Sequence, residues 1–245
     1  MKPLYRLCHT LSGTIAKVAF RYRAYGQENI IEEGPAIMAA NHQSYLDPPL
    51  VGITCRNELY FLARKTLFEK KLLGPLIARV NALPVDLSRG DLTAFRAVMN
   101  LLKEGHRTVI FPEGTRSLTG QIQQARPGIG MIIARTLVPV VPMRIFGSFE
   151  AWPKGGKIRL HAITVVVGKP MHFKIERIGL HKAPQGRVVV PRPVVIQTRF
   201  PIKLFASVFV MICVRCAVAR LEHHRLHRKS RDVRRQEPGL RLSRG

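Results

Sequence analysis

The chain has 245 residues, 46% of them hydrophobic, which favours one domain with extensions over two full domains. Its four cysteines are too few for a disulfide framework at this length, so we expect a reducing, cytoplasmic compartment. The formal net charge of +25, from 40 Lys and Arg against 15 Asp and Glu, indicates a polyanionic partner, either nucleic acid or an anionic membrane surface.

Residues 1–25 carry apolar side chains at helical spacing and predict an amphipathic helix. Basic residues lie on or beside the opposite face: Lys2, Arg6, Lys17 and Arg21. This pattern suits a helix lying in a membrane interface, although a helix packed on the protein core has the same spacing. Polar residues interrupt the apolar stretch that a signal peptide requires, so we do not expect one.

Strands and helices alternate through the middle of the chain. Strands are predicted at 34–42, 58–65, 82–86, 106–111, 137–147 and 158–170, and helices at 67–80, with a break near Gly74 and Pro75, and at 92–105, between an Asp91 N-cap and Gly105. This alternation indicates an α/β fold with a mainly parallel central sheet flanked by helices. The predicted domains are a membrane-associated helix at 1–25, the α/β domain at 26–174 and a basic tail at 175–245.

The stretch NHQSYLD (41–47) places His42 and Asp47 five residues apart. That offset points two side chains apart in a helix and in a strand, so the pair can cooperate only across a turn. Pro48 and Pro49 follow at once and predict that no helix continues there. Across a turn, a histidine can take a proton from a hydroxyl group while the carboxylate fixes its tautomer. Because the chain has no Gly-x-Ser-x-Gly stretch, a substrate hydroxyl suits the pair better than an enzyme nucleophile; a loop histidine beside a helix-capping aspartate is the alternative.

The stretch FPEGTRS (111–117) follows another predicted strand. Gly114 permits close approach of the backbone to a ligand, and Arg116 offers a fork of donors suited to phosphate. Glu113 can accept hydrogen bonds from glycerol or sugar hydroxyls, although a turn with a surface ion pair has the same composition. Ligands bind beyond the carboxyl ends of parallel strands, where both stretches are predicted to lie.

Together and in this order, NHQSYLD and FPEGTRS resemble the two signature blocks of the glycerolipid acyltransferase superfamily, and in particular of the enzymes that acylate 1-acyl-glycerol-3-phosphate. The resemblance covers about residues 26–172 and extends to shorter stretches: LARKTLFEKKLLGPL, ALPVDLSR, VPVVP and GKP. It implies that His42 is the general base, that Asp47 orients it, and that the acceptor oxygen attacks the thioester of acyl-CoA or acyl-carrier protein.

The resemblance also implies how the substrates are held. It assigns the glycerol phosphate of the acceptor to Glu113, Gly114, Thr115 and Arg116, with Arg64 or Lys65 adding positive charge. It implies no metal, no cofactor beyond the acyl donor and no covalent acyl-enzyme.

We therefore expect phosphatidate synthesis from a lysophospholipid at the cytoplasmic face of a membrane, by a peripheral or monotopic enzyme. The alternatives are acylation of another lysophospholipid or of glycerol 3-phosphate, and a basic protein that binds membrane surfaces without turnover.

The tail at 175–245 departs from the resemblance, with 16 of the basic residues and 4 of the acidic ones. Three interpretations stay open. The apolar run at 200–219 can attach to a membrane, the basic end can bind nucleic acid, or the tail results from a reading-frame shift. We do not expect nucleic acid, because no aromatic residue follows Phe209 to stack on bases. We expect Cys213 and Cys216 to be packed thiols rather than zinc ligands.

Overall fold

The computed structural model of the protein describes residues 1–85, 92–173, 175–176 and 195–196. Its helices are α1 (Pro3–Phe20), α2 (Asp47–Thr54), α3 (Lys65–Phe68), α4 (Leu73–Arg79), α5 (Leu92–Lys103), α6 (Pro127–Thr136) and α7 (Ser148–Ala151). Its strands are β1 (Arg23–Tyr25), β2 (Ala36–Ala40), β3 (Phe61–Arg64), β4 (Ala82–Val85), β5 (Arg107–Ile110), β6 (Val140–Phe146), β7 (Thr164–Val167), β8 (Ile175–Glu176) and β9 (Val195–Ile196).

A five-stranded sheet in the order β1-β7-β6-β2-β5 forms the centre of the domain. The β6–β7 pair is antiparallel and the other neighbouring pairs are parallel. All five residues of β2 are buried, as expected for an apolar strand covered on both faces of a parallel sheet. The predicted α/β architecture with a mainly parallel sheet is therefore confirmed.

Helices cover both faces of this sheet because side chains alternate along each strand. Met38 of β2 belongs to the core that β2 shares with α1 and α2, whereas Ile37 belongs to the core shared with α5 and α6. The smaller β3–β4 pair joins the edge of the sheet at β5, where Tyr60 bridges to Thr108 in the parallel sense. The buried layers thus hold the carboxyl ends of β2, β5 and β6 at one edge.

Glycine ends α5, as the sequence predicts. Gly105 has φ +84°, a left-handed conformation that glycine adopts without a steric penalty. Its N–H donates to the carbonyl of Leu102, and the N–H of His106 donates to the carbonyl of Leu101. These two bonds satisfy carbonyls at the end of the helix and direct the chain into β5.

Three local predictions are wrong. The helix predicted over residues 1–25 ends at Phe20, and Arg23–Tyr25 form β1 because they pair with β7. Pro48 and Pro49 lie in the first turn of α2, which begins at Asp47, and do not prevent a helix. The first helical residues have no intrahelical use for their N–H groups, so proline is tolerated there. The helix predicted at 67–80 is two helices, α3 and α4, separated by residues 69–72; Gly74 and Pro75 are near the start of α4 rather than at the break.

Helix α1 packs on the core through one face and exposes an apolar row on another. Tyr5, Ala16 and Phe20 are buried, which confirms packing on the domain. Four large apolar side chains on α1 are exposed: Leu7, Leu11, Ile15 and Val18. Binding of this row to a membrane stays a prediction. Within the described ranges, no helix is both long and apolar enough to cross a membrane.

Several predictions lie outside the described residues. They concern the Asp91 cap, nearly all of the tail at 175–245, the apolar run at 200–219, and Cys213 and Cys216. In the tail, the described strands β8 and β9 pair in the antiparallel sense.

Candidate active site

The carboxyl ends of β2 and β5 lie side by side because the strands are parallel and in register. Ala39 pairs with Ile110, so the residues after Ala40 and after Ile110 leave the sheet at the same edge. The backbone N–H of Ser117 then donates to the carbonyl of His42 over 2.8 Å. The two stretches that the sequence singles out therefore meet, as predicted, beyond the ends of parallel strands.

His42 and Asp47 are in contact across the turn between β2 and α2. His42 Nδ1 lies 2.9 Å from Asp47 Oδ2. The same oxygen accepts the backbone N–H groups of Gln43 at 2.6 Å and of Ser44 at 2.7 Å. The turn therefore brings together two side chains that a regular helix would point apart. Asp47 is fully buried, so these three donors hold its carboxylate in place.

The imidazole of His42 lies flat against Phe111. The two ring centroids are 4.0 Å apart and the rings are inclined by 16°. The side chain keeps 17% of its surface exposed. With Nδ1 occupied by Asp47, Nε2 has no hydrogen-bond partner in the part of the chain that the structure describes. The arrangement leaves this nitrogen able to accept a proton from a ligand.

Glu113 ties the two turns together. Its Oε1 accepts the backbone N–H of His42 at 2.9 Å, and its Oε2 accepts the backbone N–H of Gln123 at 3.1 Å. The residue is only 4% exposed. Burial raises the pKa of this carboxyl, and the two N–H donors oppose part of that rise. The observed contacts of Glu113 are thus with the backbone, and its predicted contact with the acceptor stays a prediction.

Glycine is favoured at the centre of FPEGTRS. Gly114 has φ +66°, and a Cβ added there would lie 2.7 Å from Cδ and from Nε of Arg126. Arg126 therefore packs directly on this turn, a placement that the sequence analysis missed. Arg116, in contrast, stacks with its Cζ 3.6 Å from the centroid of the Tyr45 ring. Cations from two segments thus border the turn.

The other three predicted site residues, Thr115, Arg64 and Lys65, form no hydrogen bond or ion pair with His42 in the described part of the chain. Thr115 lies in the FPEGTRS turn, and its carbonyl accepts a hydrogen bond from the side-chain amide of Gln123 at 3.5 Å. Arg64 ends β3 and Lys65 begins α3, and both are exposed. No hydrogen bond or ion pair in the described ranges connects either of these two cations to the His42 turn.

Two residues of NHQSYLD that were not singled out anchor the turn. Asn41 Oδ1 accepts the N–H of Ile145 at 2.7 Å, while its Nδ2 donates to the carbonyl of Ile145 at 3.1 Å. Ser44 Oγ donates to the carbonyl of Trp152 at 2.7 Å. Both residues are fully buried. Asn41 and Ser44 stand in the quoted stretch, but the carbonyl and N–H groups that they bind belong to residues more than a hundred positions away in the chain.

Comparisons with known proteins agree with this geometry. The family profile described as Acyltransferase matches residues 21–146. The chain is 27% identical to the 1-acyl-sn-glycerol-3-phosphate acyltransferase of Bacillus subtilis, over 69% of this chain and 83% of that protein. It is 28% identical to the chloroplastic 1-acyl-sn-glycerol-3-phosphate acyltransferase LPAT1 of Arabidopsis thaliana, over 62% of this chain but 44% of that protein.

A solved structure is similar as well. The crystal structure of the 1-acyl-sn-glycerophosphate acyltransferase PlsC from Thermotoga maritima superposes with a TM-score of 0.62 at 26% identity, covering 69% of this chain and 68% of that one. The sequence resemblance, the α/β fold and the paired turns at one sheet edge all agree with the profile match. The chain belongs to the Acyltransferase family.

Proposed function

We propose that this protein transfers a fatty acyl chain from acyl-CoA or acyl-carrier protein to the free hydroxyl of 1-acyl-glycerol-3-phosphate, giving phosphatidate. The observation that carries the proposal is the contact between His42 and Asp47 at 2.9 Å, next to a turn bordered by Arg116 and Arg126. The names of the relatives support the choice of acceptor.

In the proposed reaction His42 is the general base. Its Nε2 takes the proton of the acceptor hydroxyl as the oxygen attacks the thioester carbonyl carbon. The tetrahedral intermediate then breaks the carbon–sulfur bond, and the imidazolium returns the proton to the leaving thiolate. Asp47 stabilises the imidazolium through Nδ1 and fixes the ring orientation. No covalent acyl-enzyme, metal or further cofactor enters this scheme.

The FPEGTRS turn is the proposed site of the acceptor phosphate. Arg126 packs against Gly114, and Arg116 is half-buried beside Tyr45 in the turn whose Ser117 N–H donates to the carbonyl of His42. A guanidinium binds phosphate through two parallel N–H donors. Arg64 or Lys65 would add charge only if the acceptor extends toward the end of β3.

We also propose that the protein works as a peripheral or monotopic enzyme on the cytoplasmic face of an anionic membrane. The exposed apolar row of α1 and the net charge of +25 support this placement. Such a helix can lie in the interface while basic residues attract anionic lipid.

Acyl transfer by the purified, detergent-solubilised protein tests the function. Lysophosphatidate is incubated with acyl-CoA and, separately, with acyl-carrier protein, and His42→Ala is assayed beside the wild type. We expect phosphatidate from the wild type, and a loss of about 10²–10⁴-fold in the variant with its fold and membrane binding retained. The more active donor identifies the carrier.

An absence of product from folded protein with both donors would contradict the proposal. A basic protein that binds membrane surfaces without turnover would then be the better explanation. Product formed from another lysophospholipid but not from lysophosphatidate would keep the reaction and change the acceptor.

A further inference from the structure

Arg144 lies on β6 at the same sheet edge as His42. Its neighbour Met143 pairs with Ala40, the last residue of β2, and its other neighbour, Ile145, is held by the side chain of Asn41. Arg144 is therefore placed beside the turn that presents His42, although it belongs to neither motif that the sequence analysis identified.

The guanidinium of Arg144 has no acceptor in the described part of the protein. Nε and Nη1 are buried without a hydrogen-bond partner, and no carboxylate in the described ranges lies within ion-pair distance. An unmade hydrogen bond at a buried polar group destabilises a protein, and more so at a charged group. The arginine therefore adds little to the stability of the ligand-free protein.

Nearby carboxylates do not pair with this cation. Burial lowers the pKa of Arg144, and the negative charges of Glu113 and Asp47 oppose that change from a distance. Both carboxylates are already bound by backbone N–H groups, Glu113 at both oxygens and Asp47 at Oδ2. They neutralise part of the charge of Arg144 without using its donors.

We propose that Arg144 binds a phosphate group of the substrate, as a determinant of specificity in addition to Arg116. The inference rests on the proposed function, which brings a phosphate to this edge of the sheet. A planar guanidinium with free N–H groups matches phosphate oxygens better than any other side chain does. Arg144 is half-buried, so a ligand beside His42 can reach its side chain, although Nε and Nη1 become accessible only after a change of rotamer. The phosphate comes from the acceptor's glycerol phosphate or from CoA.

The test compares Arg144→Met with a matched control. Methionine keeps an apolar stem and removes the charge and the donors. Arg135→Met is the control, because both cations lie near an aromatic ring: Cζ of Arg144 is 5.1 Å from the centroid of Phe146, and Cζ of Arg135 is 5.5 Å from that of Phe95. Arg135, however, lies near the end of α6 that leads to the opposite sheet edge. Arg144→Lys keeps the positive charge but lacks the parallel N–H donors of a guanidinium.

Binding is measured on the full chain in detergent by calorimetry, with glycerol 3-phosphate and with CoA as separate probes. We expect Arg144→Met to weaken binding of one probe at least tenfold, Arg144→Lys to weaken it less, and Arg135→Met to change it by less than twofold. A loss for glycerol 3-phosphate alone assigns Arg144 to the acceptor, and a loss for CoA alone assigns it to the donor.

Thermal unfolding without ligand separates ligand binding from a structural role. Removing an unpaired buried cation leaves the melting temperature of ligand-free protein unchanged or higher, and the rise that the bound probe produces is smaller in Arg144→Met. A variant that is strongly destabilised without ligand, or that binds both probes as the wild type does, overturns the proposal. A wild type that binds neither probe overturns it as well.

Failure of the proposed function is recognised separately. Phosphate binding that depends on Arg144, in a protein that makes no phosphatidate, preserves the anion contact and rejects the reaction. If Arg144→Met makes phosphatidate with unchanged kinetic constants for both substrates, the proposed reaction stands and the role of Arg144 in phosphate binding is rejected.

Discussion

A single oxygen of Asp47 serves both the fold and the proposed chemistry. Oδ2 accepts two backbone N–H groups of the turn before α2 and also contacts the ring of His42. Holding the turn and acting as a catalytic partner need different properties of this group. The turn needs an acceptor, which an amide oxygen also provides, whereas stabilising an imidazolium needs negative charge.

Asp47→Asn is therefore expected to separate the two roles. The amide oxygen can still accept from Gln43 and Ser44, so the melting temperature should fall only slightly. Acyl transfer should fall by about 10²–10⁴-fold because the imidazolium loses its counter-charge. Asp47→Ala should also leave the N–H groups of Gln43 and Ser44 without their acceptor, at a cost of about 1–3 kcal/mol for each buried group. Unfolding curves and initial rates of the two variants provide the comparison, and wild-type rates in Asp47→Asn would contradict the role in catalysis.

Gly114 has a left-handed backbone and also packs closely against Arg126. Gly105 has a left-handed backbone without close packing, so comparing the two glycines separates backbone strain from the effect of packing. Gly114→Ala introduces a strain of about 1–2 kcal/mol and forces Arg126 from the turn, so activity and stability should both decrease. Gly105→Ala introduces the same kind of strain at φ +84° with no atom within 4 Å of the new Cβ, so it should lower stability and leave activity intact. Initial rates and thermal unfolding measure both outcomes. Equal rates in the two variants would show that Arg126 packing is irrelevant to the site.

At the scale of elements, Tyr5 attaches α1 to the domain. Its hydroxyl oxygen accepts the N–H of Leu59 at 3.1 Å, and the side chain is 5% exposed. Burial raises the pKa of Tyr5 to about 12. An acid whose pKa is higher in the folded state ionises first in the unfolded state, so its contribution to stability is present below pH 10 and is lost as the pH rises toward 12.

Tyr5→Phe should therefore change the pH dependence of stability as well as its size. At pH 8 the variant leaves the Leu59 N–H without its acceptor, which costs about 1–3 kcal/mol. Between pH 10 and 12 the wild type loses a few kcal/mol at most, on the order of 1–3, that the variant does not lose, so the difference between them narrows. Urea unfolding at several pH values measures this, and a constant difference across the range would contradict it.

Prediction from sequence succeeded where local pattern determines the outcome and failed where distant packing does. Five-residue spacing and the turn residues of NHQSYLD led to the His42–Asp47 contact. Helix α6 was missed because its stretch opens with Pro-Gly-x-Gly, which indicates a loop, while burial of Ile132 and Ile133 stabilises the helix. The strand β1 was missed because its three residues pair in register with β7, far along the chain. The contacts of Asn41 and the position of Arg144 depend on another long-range pairing, that of β2 with β6.

For the whole molecule, charge and exposed apolar surface combine in one expectation about membranes. The chain carries 40 basic residues, and α1 adds an exposed apolar row in which Val18 is 79% exposed and Leu11 58%. Apolar insertion and electrostatic attraction both contribute to the free energy of membrane binding, and only the electrostatic contribution is screened by salt. Binding to anionic lipid should therefore weaken with salt without vanishing.

Sedimentation with lipid vesicles tests this expectation. Wild-type protein should bind vesicles containing anionic lipid more strongly than neutral ones, and less strongly at 1 M salt than at about 0.1 M, where the screening length is about 10 Å. Leu11→Glu and Val18→Glu should reduce binding to both kinds of vesicle, because each places a charge in the row that enters the interface. Leu160→Glu is the control, since Leu160 is 80% exposed but lies outside α1. Equal losses in all three variants would mean that the added charge, and not the α1 row, determines binding. The role of α1 would then be its packing on the domain, to which Tyr5, Ala16 and Phe20 contribute.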